Sequence, residues 1–180
     1  KNPSTIYGIS KLAAERYYKF YNQNYGVKST VLRYFHVYGP RQDYFGEAGV
    51  ISIFLSRVLV GKNPQVCKPG NQVRCFTYVQ DDVEANMLLY KQKKSIGQEY
   101  NVASRARVSI NDLAKTICDK YGNGNVKPEK IAPRIGENLK PIPDTSKIEK
   151  LGFKESVTFE QGLDITKNWV EQDMKSRGEI

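Results

Sequence analysis

The sequence is poor in the residues that build metal centres and covalent staples. Among its 180 residues stand one histidine, His36, one tryptophan, two methionines and three cysteines, Cys67, Cys75 and Cys118. A lone histidine cannot make a two-histidine zinc site, and any Ser-His-Asp scheme would have to run through that one position, so hydrolase readings fall behind. The cysteines lack metal-ligand spacing and their odd number argues against a disulfide framework, which fits a reducing cytoplasm. No run of about 18 apolar residues occurs, because Arg57 interrupts the best candidate at 50–60. Nor does a charged-then-apolar leader precede the first helix, and the expectation is a chain targeted neither to a membrane nor for export. A glycine-rich phosphate cradle is missing too: the run Gly122 to Asn125 lacks a third glycine at the required spacing and has Lys127 there instead.

What is abundant is positive charge. The 28 Lys and Arg against 19 Asp and Glu give a formal +9, enough to draw anions by long-range steering. The basic residues are spread along the chain, with one short cluster at Lys91, Lys93 and Lys94, and no nucleic-acid-binding motif accompanies them. A few arginines gripping a diphosphate, with the remaining charge solvated, suits this distribution better than nucleic acid. With 39% hydrophobic residues the chain is long and apolar enough for one sizeable packed domain.

Periodicity predicts a helix from residue 4 to 25, capped by Ser4 or Thr5 and ended by Gly26, its tyrosines other than Tyr7 read as core. A β-branched strand follows at 29–34, and a helix feeding a strand suits a parallel sheet. The loop Phe35 to Gln42 would then leave the carboxyl edge of that strand, where open α/β sheets place ligands. Next come a helix at 50–59, a hairpin of strands at 65–67 and 73–79 around Pro69-Gly70-Asn71, and a helix at 81–94. In that helix Asp81 and Asp82 are expected as N-terminal caps and Val83, Met87 and Leu88 as one face. A strand at 98–102, helices opening at Ser109, Asp144 and Thr158, and an irregular stretch at 128–143 complete the chain.

Tyr7 and Lys11 lie four residues apart and so share one helix face. A free tyrosine titrates near pH ~10, and a neighbouring ammonium favours the phenolate, which makes such a phenol usable as a proton shuttle. Tyr90 and Lys94 repeat the spacing, but only the first pair opens a helix, just after Pro3.

That pair sits in a longer phrase. Asn2-Pro3-Ser4-Thr5-Ile6-Tyr7-Gly8-Ile9-Ser10-Lys11, then Leu32-Arg33-Tyr34-Phe35-His36-Val37-Tyr38-Gly39-Pro40-Arg41-Gln42, resembles the extended short-chain dehydrogenases that act on nucleotide sugars, the UDP-glucose 4-epimerase group above all. The resemblance continues through Arg74-Cys75-Phe76-Thr77-Tyr78-Val79-Gln80-Asp81-Asp82-Val83, Tyr100-Asn101-Val102 and Asp144-Thr145-Ser146-Lys147. It implies an α/β fold: the C-terminal half of a Rossmann-type doubly wound parallel sheet, with a smaller mixed α/β substrate-binding domain. Residues 1–45 would belong to the NAD-binding domain, and residues 46–180 mainly to the substrate-binding region, with elements returning to the NAD-binding sheet. In this family the glycine-rich turn and a catalytic serine or threonine lie upstream of the Tyr-x-x-x-Lys helix. The 180 residues are therefore expected to be part of a larger enzyme and not fully active alone.

The resemblance also implies roles. Tyr7 would be the acid/base at the sugar 4-hydroxyl, and Lys11 would hold the nicotinamide ribose of NAD. Tyr34, Phe35 and His36 would border cofactor and substrate, and Arg74 and Arg134 would grip the substrate diphosphate. His36 stands where relatives usually have asparagine, Cys75 where they often have aspartate, and Gln80 in place of a frequent acid. A homodimer through the tyrosine-bearing helix is expected. The expected activity is C4 epimerisation of a nucleotide sugar. The alternatives are 4,6-dehydration or decarboxylation by the same oxidation, or a non-catalytic basic binding module.

Overall fold

A computed structural model describes residues 2–3, 5–46, 49–133 and 142–180. Helix α1 runs Ile6–Tyr25. Thr5, in extended conformation, accepts the Gly8 amide at 3.0 Å and so satisfies one orphan donor of the first turn. Gly26 ends the helix at φ 67, a left-handed conformation that glycine adopts without a Cβ penalty, its amide bonding back to the Tyr21 carbonyl. The expected core tyrosines of this helix prove to be exposed, Tyr17, Tyr18, Tyr21 and Tyr25 included. No residue of α1 is buried, and half-buried Gly8, Leu12, Glu15 and Asn22 lie along one edge of it.

That edge is ionic. Strand β1 (Val31–Tyr34) presents Arg33, whose guanidinium meets both Glu15 carboxylate oxygens, at 2.8 and 2.7 Å. β1 pairs in parallel with β4 (Glu99–Val102), from Val31 opposite Glu99 to Tyr34 opposite Val102. The parallel pairing expected from a helix feeding a strand is present.

The main core lies between helices α2 (Val50–Leu59), α4 (Ile110–Tyr121) and α6 (Phe159–Ser176). Ser109 caps α4 by accepting the Asp112 amide, and α6 opens with a full capping box between Thr158 and Gln161. A second core joins α3 (Val79–Tyr90), β4 and the short α5 (Ser146–Glu149) through Ala85, Leu89, Tyr100, Val102, Ile148 and Phe153.

The expected hairpin is not there. β2 (Gln65–Cys67) pairs in parallel with β6 (Glu129–Ile131), a strand inside the stretch read as irregular, and β3 (Val73–Cys75) pairs antiparallel with β5 (Arg107–Ser109). The Pro69-Gly70 turn separates two strands whose free edges are taken by distant segments: Lys68 donates to Ile131 and the Gly70 carbonyl accepts from Asn111. Nor are Asp81 and Asp82 caps. Tyr78 holds the cap position of α3 without a side-chain bond, and both aspartates turn inward on the face carried by Ala85 and Leu89. Val83 and Met87, expected with Leu88 on one face, are about half exposed. Tyr90 ends α3 while Lys94 lies in a separate 3-10 turn, so that second Tyr-x-x-x-Lys spacing is not one helix.

Candidate active site

The chain segment leaving β1 is stitched to the segment leaving β3. Thr77 N–H donates to the His36 carbonyl (3.3 Å), Tyr38 N–H to the Thr77 carbonyl (3.0 Å) and Val79 N–H to the Tyr38 carbonyl (2.9 Å). The Thr77 hydroxyl adds a bond to the Phe35 carbonyl at 2.8 Å and accepts from the Ser104 amide at 3.1 Å. Two phrases distant in sequence thus lie side by side at the carboxyl end of β1, and His36 and Arg74 line one cavity of about 740 Å³.

His36 adopts φ 47, a left-handed backbone uncommon outside glycine, and its ring meets the Phe76 ring edge-on at 5.9 Å. Burial and then the Arg74 charge lower its pKa to about 4, against a raising hydrogen bond to the Cys75 backbone. A ring so disfavoured from protonation is uncharged at neutral pH, where it brings no charge of its own to the cavity wall. Arg74 is buried and donates to the Val73 carbonyl at 3.1 Å. Arg134 lies outside the described residues.

Pattern reading missed other parts of this wall. Gln72 is 2% exposed, lines the cavity and has a side-chain oxygen with no hydrogen-bond partner among the described residues. Its signal was available, since residues i and i+2 of a strand share a face and Gln72 precedes Arg74 by two. Tyr44, Arg57 and Lys62 also line the cavity. Tyr44 donates to Asp173 at 2.7 Å, and burial with that bond raises its pKa to about 12.

Tyr7 and Lys11 do share a face, with the Lys11 Nζ 5.2 Å from the centre of the Tyr7 ring. Tyr7 is 72% exposed, and neither side chain has a hydrogen bond or ion pair among the described residues. Tyr34, at the end of β1, is also exposed and is bonded through its hydroxyl to Asn86 at 2.9 Å. Phe35 is held by its backbone, its amide donating to Val102 at 3.1 Å. None of these four residues lines the cavity that His36 and Arg74 share.

Residues 1–103, more than half of the chain, match the description "NAD dependent epimerase/dehydratase family". The chain belongs to that family. It is 38% identical over 176 residues to a putative UDP-glucose 4-epimerase of Methanocaldococcus jannaschii, covering 97% of this chain and 56% of the relative. It is 35% identical over 150 residues to a UDP-N-acetyl-alpha-D-glucosaminuronate decarboxylase of Bacillus cytotoxicus, covering 80% of this chain and 46% of the relative. Among solved structures, UDP-glucose 4-epimerase from Thermotoga maritima with UDP-glucose superposes with a TM-score of 0.90 at 36% identity, over 96% of this chain and 55% of that one. The fold is accordingly part of the Rossmann-type α/β fold of that family, and the chain spans about half the length of the relatives it matches.

NAD is the cofactor of the family. The residues present fit one end of it: an exposed phenol and ammonium on one face of α1, and an exposed tyrosine at the carboxyl end of a parallel strand, the edge where open α/β sheets leave room for ligands. No glycine-rich turn for its pyrophosphate occurs in the 180 residues.

Proposed function

We propose that this chain supplies the acid/base and substrate-gripping residues of an NAD-dependent nucleotide-sugar 4-epimerase, with substrates of the UDP-glucose/UDP-galactose type. The observation that carries the reading is the Tyr7 phenol lying open to solvent with the Lys11 ammonium beside its ring. Held by Tyr7, Lys11 and the end of β1, NAD would supply reversible hydride transfer at the sugar carbon. Tyr7 takes the proton of the sugar 4-hydroxyl and restores it, while Lys11 brings positive charge to the phenol and a donor to the nicotinamide ribose. Tyr34, Phe35 and His36 border the ligands at the end of β1. Arg74 meets the diphosphate in the cavity, where a guanidinium offers paired donors to phosphoryl oxygens, and Arg134 joins it in that role. The exposed aromatics of α1 support a homodimer through that helix. Among the described residues no helix is long and apolar enough to cross a membrane.

A decarboxylase at 35% identity supports a second reading, in which the same oxidation leads to decarboxylation or 4,6-dehydration. Incubating the full-length protein with NAD and either UDP-glucose or UDP-glucuronic acid separates the two, because only the second substrate carries a carboxylate to lose. Interconversion with UDP-galactose bears out the epimerase reading, and a dehydrated keto sugar as sole product overturns it.

A further inference from the structure

Part of the wall of the cavity that holds Arg74 is loop, formed by Tyr44, Phe45 and Gly46 ahead of α2. A loop has no ladder of its own, so its place is set by what its side chains grip. Tyr44 is 4% exposed and meets three successive turns of α6. Trp169, Asp173 and Arg177 stand four residues apart and form one stripe of that helix, Arg177 being its C-cap. The Tyr44 ring meets Trp169 edge-on at 6.4 Å, its hydroxyl donates to Asp173 Oδ2 at 2.7 Å, and the Arg177 guanidinium lies over the ring at 5.9 Å. Arg177 Nε also reaches Asp173 Oδ2, at 2.7 Å, so one carboxylate oxygen ties phenol and guanidinium together. Val170 and Met174 pack on the apolar side of the same contact. Phe45 follows Tyr44, their ring centres 4.5 Å apart.

We propose that Tyr44, Asp173 and Arg177 are positioning residues for the substrate: together they latch the loop wall of the cavity to α6 and hold it where a nucleotide sugar is bound. The Tyr44 hydroxyl is engaged by Asp173, so the latch acts through the placement of Phe45 and Gly46. α6 is a firm anchor, because Leu163 fixes it in the main core. With the latch broken the loop samples other positions, and the apparent affinity falls by the fraction of time the wall is in place. Tyr7 and Lys11 do not line this cavity, so the chemical step is expected to be untouched once substrate is bound. The proposal rests on the nucleotide-sugar reading above.

The same helix makes a second bond of this kind away from the cavity. Tyr121 of α4 donates to Asp164 at 2.7 Å, and neither residue lines the cavity. In the full-length protein, Tyr44→Phe, Asp173→Ala, the double variant and Tyr121→Phe are to be compared with wild type by equilibrium binding of UDP-glucose and by turnover at saturating substrate. Tyr44→Phe and Asp173→Ala are each expected to weaken binding about five- to tenfold, with the double variant no weaker than the weaker single one and saturated turnover within about twofold of wild type. Tyr121→Phe is expected to bind as wild type does. Unchanged affinity in both latch variants, an equal loss in Tyr121→Phe, or a fall in saturated turnover at unchanged affinity overturns the proposal and leaves the nucleotide-sugar reading standing. Absence of UDP-glucose binding by the wild-type protein removes that reading and the proposal with it.

Discussion

Lys11 holds its ammonium 5.2 Å from the centre of the Tyr7 ring, one helical turn away on a face of α1 where neither side chain has another polar partner among the described residues. Tyr7→Phe keeps the ring and removes the proton carrier. In the full-length protein turnover is expected to fall at least about 10²- to 10⁴-fold, with UDP-glucose affinity within about threefold of wild type. Steady-state kinetics beside equilibrium binding check this, and wild-type turnover would remove Tyr7 from the chemistry.

Arg74→Lys retains the charge and loses the planar fork. A diphosphate held by paired donors is expected to bind about tenfold more weakly, with a shallower dependence on salt. Titration of UDP-glucose at two ionic strengths is the check. Unchanged affinity would separate Arg74 from the diphosphate.

Asp82 is 5% exposed, and neither carboxylate oxygen has a hydrogen-bond partner among the described residues. Burial first, and then Asp81, raise its pKa to about 7. Because the folded value lies above the unfolded one, this carboxyl is protonated in both states below about pH 4 and costs nothing there as a charge. The cost grows as pH rises towards 7 and is complete above it. Asp82→Val is therefore expected to stabilise the protein by about 1–3 kcal/mol at pH 8 and by less at pH 5. Urea denaturation at the two pH values measures the difference. A greater gain at pH 5 would contradict the buried-charge account.

Arg33 ties α1 to β1 through both oxygens of Glu15, with Glu99 3.7 Å away. Since α1 buries no residue, Arg33→Met is expected to loosen this helix before the rest of the fold, at a cost of about 1–2 kcal/mol. Hydrogen exchange follows it directly: residues 6–25 lose protection while α4 and α6 retain theirs.

The parts legible from sequence are those that neighbours along the chain dictate. The Thr5 cap and the Gly26 stop of α1, the Ser109 and Thr158 caps, and β1 and β4 stand where their residue types place them, because capping and periodicity act within a few residues. The candidate site divides along the same line. Tyr7 and Lys11 meet because i,i+4 spacing on a helix is local geometry. The cavity wall could only be read in part: Arg74 and His36 were visible as residue types, and Gln72 was not singled out at all.

The amino-acid order by itself determined the family phrases, the helix that presents Tyr7 with Lys11, and the left-handed stop at Gly26. Only the tertiary structure decided that β2 and β3 part to pair with β6 and β5, that Asp82 turns into a core, and that the aromatic face of α1 is exposed. It also decided that the imidazole of His36 shares a cavity wall with Arg74, where burial and that charge disfavour its protonation. The reason is physical. Strand partners and the desolvation of a charge are set by segments tens of residues away, and local propensity carries no record of which distant edge or wall will close against a given side chain.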